Sequence, residues 1–561
     1  MTKRTFPVLG WLRGYRRLDL KADLPAGLTV AIMLVPQAMA YAMLAGLPPV
    51  TGLYAATVPV IIYALLGSSR QLAVGPVAMV SLLVFVACSR FAEPGTTEYL
   101  ATVAVLTLMI GVLKLGFGLM RLGFLTHFVS HPVVSGFTAA GAIVIALSQA
   151  KHLLGIRPTD AHSGLLLARQ LLLHLPDTDP RTLAIGAGSI ALLVVFKRRW
   201  PRFPAPLLVV ALGTTLVFAL RLDTHGVHTV GAVPRGFPAL SLPAVRAAQL
   251  PALAGPALII LFVSFMESIA VAQWVAEREK YGIDANRELI GLGLANIAAA
   301  CMSGYAVTGG FSRTAVNYRA GARSQLAGLV SGLLVLATLW LLTPLFFYLP
   351  KAALAAIIVT AVAGLVDLRE ARELFRIKTA DGATWGLTFA VTLLVGVDWG
   401  ILAGIVFSLG LFIARSAHPR AVELGYVRDE DAYHDVKRYP HAQTDPAIVI
   451  LRVDASLYFA NMAFVRGFLR EKLTARNEAR WVVFDLSGVN DMDAGAIRAL
   501  TEIIQNHGRR GVKFLFAGMK GQVRDLVGRA GWHEQLGQDL DCPDVPHALA
   551  RIRRQEPAQD E

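Results

Sequence analysis

From Leu24 to Ala414 the chain alternates long apolar stretches with short polar breaks, and after His418 that rhythm stops. A helix needs about 20 apolar residues to cross roughly 30 Å of hydrocarbon, and the first region contains many runs of that order. The pattern predicts helical spans at 25–45, 51–67, 76–90, 99–119, 124–149, 182–196, 205–220, 251–273, 286–303, 310–321, 325–347, 351–366, 382–397 and 399–414, about fourteen in all. Past His418 short apolar runs at 447–453, 481–486 and 512–517 read as buried strands, with helical segments at 461–476, 493–507 and 520–530 between them. Strands alternating with helices predict a small α/β domain. The predicted layout is a leader over 1–24, a membrane region over 25–415, a linker over 416–440 and the α/β domain over 441–555.

Two of the predicted spans are unusual. The segments starting at Gly75-Pro76 and at Gly309-Gly310 are short, open with helix breakers and occupy corresponding places in two halves of the membrane region. Seven spans per half is an odd number, so the second half is expected to be inverted relative to the first. Paired short, glycine-interrupted segments in an inverted repeat point to a binding site at the membrane midplane. Irregular backbone at that depth is tolerated only where it lines a cavity or is buried in protein.

Charge sharpens this picture. Only 16% of residues are charged, against about 25% in soluble domains. The net charge of +14 does not indicate nucleic acid, because Lys and Arg gather in alternate breaks: Arg70, Arg121, the Lys197-Arg198-Arg199 cluster, Arg278 and Lys280, Arg319 and Arg323, 369–378 and Arg415. That is the positive-inside distribution. It predicts a multi-pass cell-membrane protein with the N-terminus and the α/β domain both cytoplasmic. The basic N-terminal stretch lacks a short apolar core followed by a small-residue cleavage site, so it reads as a leader rather than a cleaved signal. Cys88, Cys301 and Cys542 have no metal or disulfide spacing and are expected to be buried apolar residues.

The candidate chemistry follows from the half-helices. A helix starting in Thr308-Gly309-Gly310-Phe311-Ser312-Arg313 would aim free N–H groups and a positive dipole end into a cavity. A second, starting at Pro76-Val77-Ala78, would face the same point. Arg313 adds a fixed positive charge, and a charge at midplane faces a cavity or a partner. Glu267 is the one acid inside an otherwise apolar span; near a cation it could exchange a proton, or form a structural ion pair. Pro36-Gln37 interrupts the first span with Tyr41 one turn on, and Gln37 can donate to an anion. Lys114, His127, His131 and Asp398 are expected at span ends, at the membrane interface. The chain shows no phosphate loop and no nucleophile with a base, so an enzyme is not expected.

These residues resemble a known family. Pro49-Val50-Thr51-Gly52-Leu53-Tyr54-Ala55-Ala56, with Tyr63 and Gly67-Ser68-Ser69-Arg70, is similar to the signature of the SulP sulfate-permease anion transporters, as are 36–42 and Phe311-Ser312-Arg313. Thr51 departs from the Tyr usual there. The C-terminal domain resembles a STAS domain through Leu457-Tyr458-Phe459-Ala460-Asn461 and from Asp485-Leu486-Ser487-Gly488 to Asp493. In bacterial anti-sigma-factor antagonists of that fold a Ser after the acid is phosphorylated. Ala494-Gly495-Ala496 offers no hydroxyl here, which leaves a docking or scaffolding role.

The resemblance implies an all-α domain split into a core (spans 1–4 and 8–11) and a gate (5–7 and 12–14), with dimers formed partly through STAS. It places the anion at Gln37, Tyr41, Pro76, Val77, Ala78, Phe311, Ser312 and Arg313, and the coupling ion at Glu267 and Thr308. Glutamate at the coupling position favours protons over sodium. The expected activity is secondary transport of sulfate, bicarbonate or a small dicarboxylate by alternating access, with no cofactor. Exchange, a channel-like uniport, sodium-coupled bicarbonate symport, and a non-transporting motor or scaffold are the alternatives.

Overall fold

A computed structural model of the chain describes residues 15–124, 130–156, 164–200, 203–536 and 540–555, without the side chains of Asp398, His533 and Leu536. A helix or helix pair stands at every predicted span. The first half runs α1 (Arg17–Leu44), α2 (Pro49–Ala55), α3 (Val58–Leu66), β1 (Val74–Gly75), α4 (Ala78–Cys88), α5 (Thr97–Leu119), α6 (His131–Leu154), α7 (Gly164–Leu173), α8 (Pro180–Arg199) and α9 (Ala205–Leu220). The second runs α10 (Leu250–Arg278), α11 (Ala285–Cys301), β2 (Thr308–Gly309), α12 (Phe311–Arg319), α13 (Leu326–Leu341), α14 (Lys351–Val362), α15 (Leu368–Ile377), α16 (Thr379–Leu394) and α17 (Val397–Ala417). From the strand onward the two halves have the same order of elements, including a short helix, α7 or α15, at the same place in each. Neither short helix was expected, because ten residues are too few to span a membrane. Among the described residues eight helical stretches are long and apolar enough to cross a bilayer on length and composition alone.

The first half of the chain meets the second at β1 and β2. They pair antiparallel, Val74 opposite Gly309 and Gly75 opposite Thr308, so each half-helix starts from a strand that the other holds. The loop feeding β1 is fixed by polar side chains of the second half. Glu288, on α11, accepts from Tyr63 Oη at 2.7 Å, from Ser68 N and Oγ at 2.7 Å each, and from Ser69 N at 2.9 Å. Asn317 donates to Gln71 O at 2.9 Å, and Ala73 N donates to Thr314 Oγ1 at 3.0 Å. On the other side Asn296 holds Val307 by a reciprocal pair of 2.9 Å bonds. These bonds satisfy backbone that lies outside helices within an apolar domain, and they give Tyr63, Ser68 and Ser69 of the signature segment a structural role.

Helices α5 and α11 pack backbone to backbone. A Cβ added at Gly293 would lie 2.7 Å from Leu115 N, the close approach that small residues permit in membrane helices. Lys114 lies in this region, and here the structure corrects the expectation of an interfacial lysine. It is fully buried at 0% exposure, and Nζ has no hydrogen-bond partner among the described residues. Gly111 and Gly118 share its helical face and both abut α11, so the lysine stem is enclosed where the span-end reading placed it in the interface. His127 lies outside the described residues, as does the side chain of Asp398. Cys88 and Cys542 are buried and Cys301 is partly so.

The chain divides into compact units at Ser408 and Leu409, inside α17. The second unit carries a six-stranded sheet of β3 (Ala421–Val427), β4 (Ala432–Asp435), β5 (Ile448–Val453), β6 (Trp481–Asp485), β7 (Lys513–Ala517) and β8 (Asp541–Cys542). Its order is β4-β3-β5-β6-β7-β8, parallel from β5 to β8 with an antiparallel hairpin at the β4 edge. That hairpin occupies residues expected to be linker. Val422 and Leu424 are buried by alternation and Val427 is buried too, but charges around 428–431 interrupt the apolar pattern that would have marked the strands. Helices α18 (Met462–Ala475), α19 (Ala494–Gly508) and α20 (Gly521–Arg529) cover one face of the sheet, with α21 (Trp532–Leu536) beside them. Helix α22 (Val545–Gln555) covers the other face. Asp493 caps α19, accepting from Ala496 N at 2.7 Å and from Phe459 N at 3.0 Å.

Candidate functional site

A cavity of about 500 Å³ opens where α1, α4, α6, α10, α12 and α14 converge. Gln37, Tyr41, Val77, Ala78, Glu267, Phe311, Ser312 and Arg313 all line it, so eight of the ten residues singled out in the sequence share one wall. Helix α4 begins at Ala78, two residues after Pro76, and α12 begins at Phe311; neither helix has a side-chain cap at its N-terminus. The first N–H groups of a helix have no intrahelical acceptor. At both ends here they are left to whatever occupies the cavity.

Arg313 is 2% exposed. Its Nη1 donates to Pro76 O at 2.8 Å and to Gln37 Oε1 at 3.5 Å, which is how Pro76 enters the site. Nε and Nη2 are buried and have no partner among the described residues. Buried donors are almost always paired, and a guanidinium edge with two free N–H groups suits a bidentate oxyanion. Room for that edge depends on two glycines. A Cβ at Gly310 would lie 2.8 Å from Nη2 and 2.9 Å from Cζ, and one at Gly75 would lie 3.4 Å from Nη2. Gly310→Ala is therefore expected to displace the guanidinium and weaken anion binding about 5- to 100-fold, the equivalent of ~1–3 kcal/mol of overpacking. Half-saturation of uptake and ligand-induced thermal stabilisation both measure it; unchanged values would remove Arg313 from the binding surface.

Glu267 and Arg313 line the same cavity, yet no direct ion pair joins them among the described residues. The ion-pair reading of Glu267 left open by the sequence is thus not what the structure contains. Thr308 does not line the cavity. Its hydroxyl donates to Ser264 O at 2.6 Å and lies 2.5 Å from Ser268 Oγ, which in turn accepts from Gly309 N at 2.9 Å. These bonds tie β2 to α10 and set the helix that carries Glu267 in register with the one that carries Arg313. Two further polar residues of α6 line the cavity, Thr138 and His131, the latter expected only at the membrane interface. His131 does begin a helix, as expected, and its ring faces Glu370 at 3.1 Å with 78% of the side chain exposed. Nothing in the local sequence of α6 marks either residue, because only the fold brings that helix to the cavity.

Apolar helices enclosing a cavity with a buried cation, two of whose donors have no partner among the described residues, and two uncapped helix N-termini, followed by a small α/β domain, define a membrane anion transporter. The chain belongs to the Sulfate permease family, which matches residues 20–388, and residues 439–541 match the STAS domain. It is 38% identical to sulfate transporter 4.1, chloroplastic, of Arabidopsis thaliana over 95% of this chain and 80% of that protein. It is 35% identical to a probable sulfate transporter of Mycobacterium tuberculosis over 98% and 99% of the two chains. The murine Slc26a9 anion transporter, solved in an inward-facing state, superposes with a TM-score of 0.91 at 27% identity, covering 98% of this chain and 94% of that one. The transmembrane domain of the cyanobacterial bicarbonate transporter BicA matches at a TM-score of 0.60 and 22% identity over 71% of this chain and 99% of that one, a likeness of fold.

Proposed function

We propose that this chain is a proton-coupled sulfate symporter working by alternating access, with sulfate held by Arg313 and by the N-termini of α4 and α12, and with Glu267 as the proton carrier. The unpartnered Nε and Nη2 of buried Arg313 carry the reading. A tetrahedral dianion offers them two oxygens and leaves two more for Gln37, Ser312 and backbone N–H groups. The relatives named as sulfate transporters support the choice of anion. The cavity reaches His131 and Leu365, beside the ends of α6 and α14 that adjoin basic breaks. By the positive-inside rule this supports an inward-facing state, with both termini on the cytoplasmic side of the cell membrane. Homodimerisation and a docking role for the STAS domain, whose acid Asp493 is followed by Ala494, follow from the family resemblance.

Uptake of radiolabelled sulfate, bicarbonate and succinate by proteoliposomes, with and without an inward proton gradient, tests the proposal. Sulfate accumulation that follows the proton gradient, with bicarbonate and succinate poor competitors, is the expected result. Accumulation driven only by sodium, or counterflow without net uptake, would replace symport with sodium coupling or exchange.

A further inference from the structure

We infer that α15 is a docking strip for anionic lipid headgroups on the leaflet facing the basic breaks, a role separate from the anion cavity. The helix starts at a capped N-terminus, Asp367 accepting from Arg369 N at 2.9 Å and Glu370 N at 3.1 Å. Arg369, Arg372 and Arg376 recur at i, i+3 and i+7, so they form one stripe along the helix. All three are exposed, and among the described residues none is in an ion pair. The helix's acids do not pair with them among the described residues: Glu370 points the other way, to His131 at 3.1 Å, and Glu373, although it neighbours Arg369 and Arg376 on the helix, is in no ion pair.

The apolar residues show which way the stripe faces. Ala371 and Leu374 pack beneath the helix against Trp385 and Ala139. Leu368 and Phe375, on the turn of the helix next to the arginines, stay 63% and 47% exposed. An open apolar edge bordered by a row of arginines is how a helix sits at the boundary between acyl chains and headgroups, and clustered basic residues there select anionic lipid. The counterpart in the first half, α7, has the same length and place but carries one cation, Arg169, and no acid. Its Leu165, Leu172 and Leu173 are exposed to a similar degree. Both helices expose apolar side chains, so both suit a membrane surface, but only α15 has the charge to choose among lipids. With the halves inverted, α15 lies on the side of the basic breaks and α7 on the other. Lipid held at α15 would steady the segment that follows Leu365 and the Glu370–His131 contact, both at the rim of the cavity.

The test is native mass spectrometry of the full-length protein titrated with phosphatidylglycerol and phosphatidylcholine, which requires no transport and so stands or falls apart from the sulfate reading. The wild type is expected to retain phosphatidylglycerol preferentially. The Arg369→Gln/Arg372→Gln/Arg376→Gln variant should need roughly a hundredfold more of it, about fivefold per arginine. The Arg369→Lys/Arg372→Lys/Arg376→Lys variant should keep the preference, which separates lost charge from disturbed folding. Equal retention by wild type and the glutamine variant would overturn the inference, as would wild-type protein without lipid preference, or loss of preference in the lysine variant. Displacement of the bound lipid by soluble glycerol phosphate would equally overturn it, by showing that the strip reads a free anion rather than a membrane.

Discussion

Arg313→Ala is expected to abolish sulfate uptake while leaving the protein folded. The guanidinium is buried, with Nη1 on Pro76 O and two further donors free. Hydrogen bonds to charged groups contribute about 1.5–3 kcal/mol each, so losing two to a bound dianion weakens binding by roughly 10²–10⁴-fold. Removing the side chain should not cost much in stability, because a buried charge with unpaired donors is itself unfavourable; among the described residues the partners it leaves are a carbonyl and the amide of Gln37. Thermal unfolding with and without sulfate separates the two effects. Ligand that binds only the folded state raises its stability by about RT ln(1 + [L]/Kd), so sulfate should raise the melting temperature of the wild type and not of the variant. If the variant kept the wild-type shift and uptake, the anion would have to bind elsewhere. If it failed to fold, Arg313 would be a structural brace.

The sequence carried most of this site because the features that define it are unusual in an apolar setting. A glycine pair before Phe311-Ser312-Arg313 and a lone acid in the 251–273 segment are visible without a structure, and both proved to line one cavity. Other parts depend on contacts between distant segments. Glu288 looks like an ordinary residue near the start of a helix, and only the fold brings Tyr63, Ser68 and Ser69 onto its carboxylate. Lys114 lies close to a predicted span end in the sequence, whereas the backbone-close packing of α5 on α11 decides its burial. Hairpin β3–β4 and the short helices α7 and α15 were missed because each is shorter, or more charged, than the apolar runs that signal strands and spans. His131 and Thr138 reach the cavity through tertiary position alone.

Glu267→Gln should uncouple transport rather than abolish binding. Glutamine has nearly the volume of a protonated glutamate and cannot release a proton, so it fixes the carrier in its neutral form. Since Glu267 shares the cavity with Arg313 without a direct ion pair, the substitution leaves no stranded partner, and misfolding is not expected. The free donors of Arg313 and the N-termini of α4 and α12 are untouched, so sulfate still binds and internal sulfate still exchanges for external. Uphill accumulation driven by an inward proton gradient should fall to the level set by the sulfate gradient alone. A bystander at this position predicts no change, and a structural acid predicts loss of folded protein, so gradient-driven uptake and thermal unfolding distinguish all three roles. Accumulation at the wild-type level in Glu267→Gln would exclude the proton carrier. Repeating the measurement under a sodium gradient would then test whether the same cavity takes a cation in its place, with the carboxylate of the wild type as ligand and the amide of the variant as the weaker substitute.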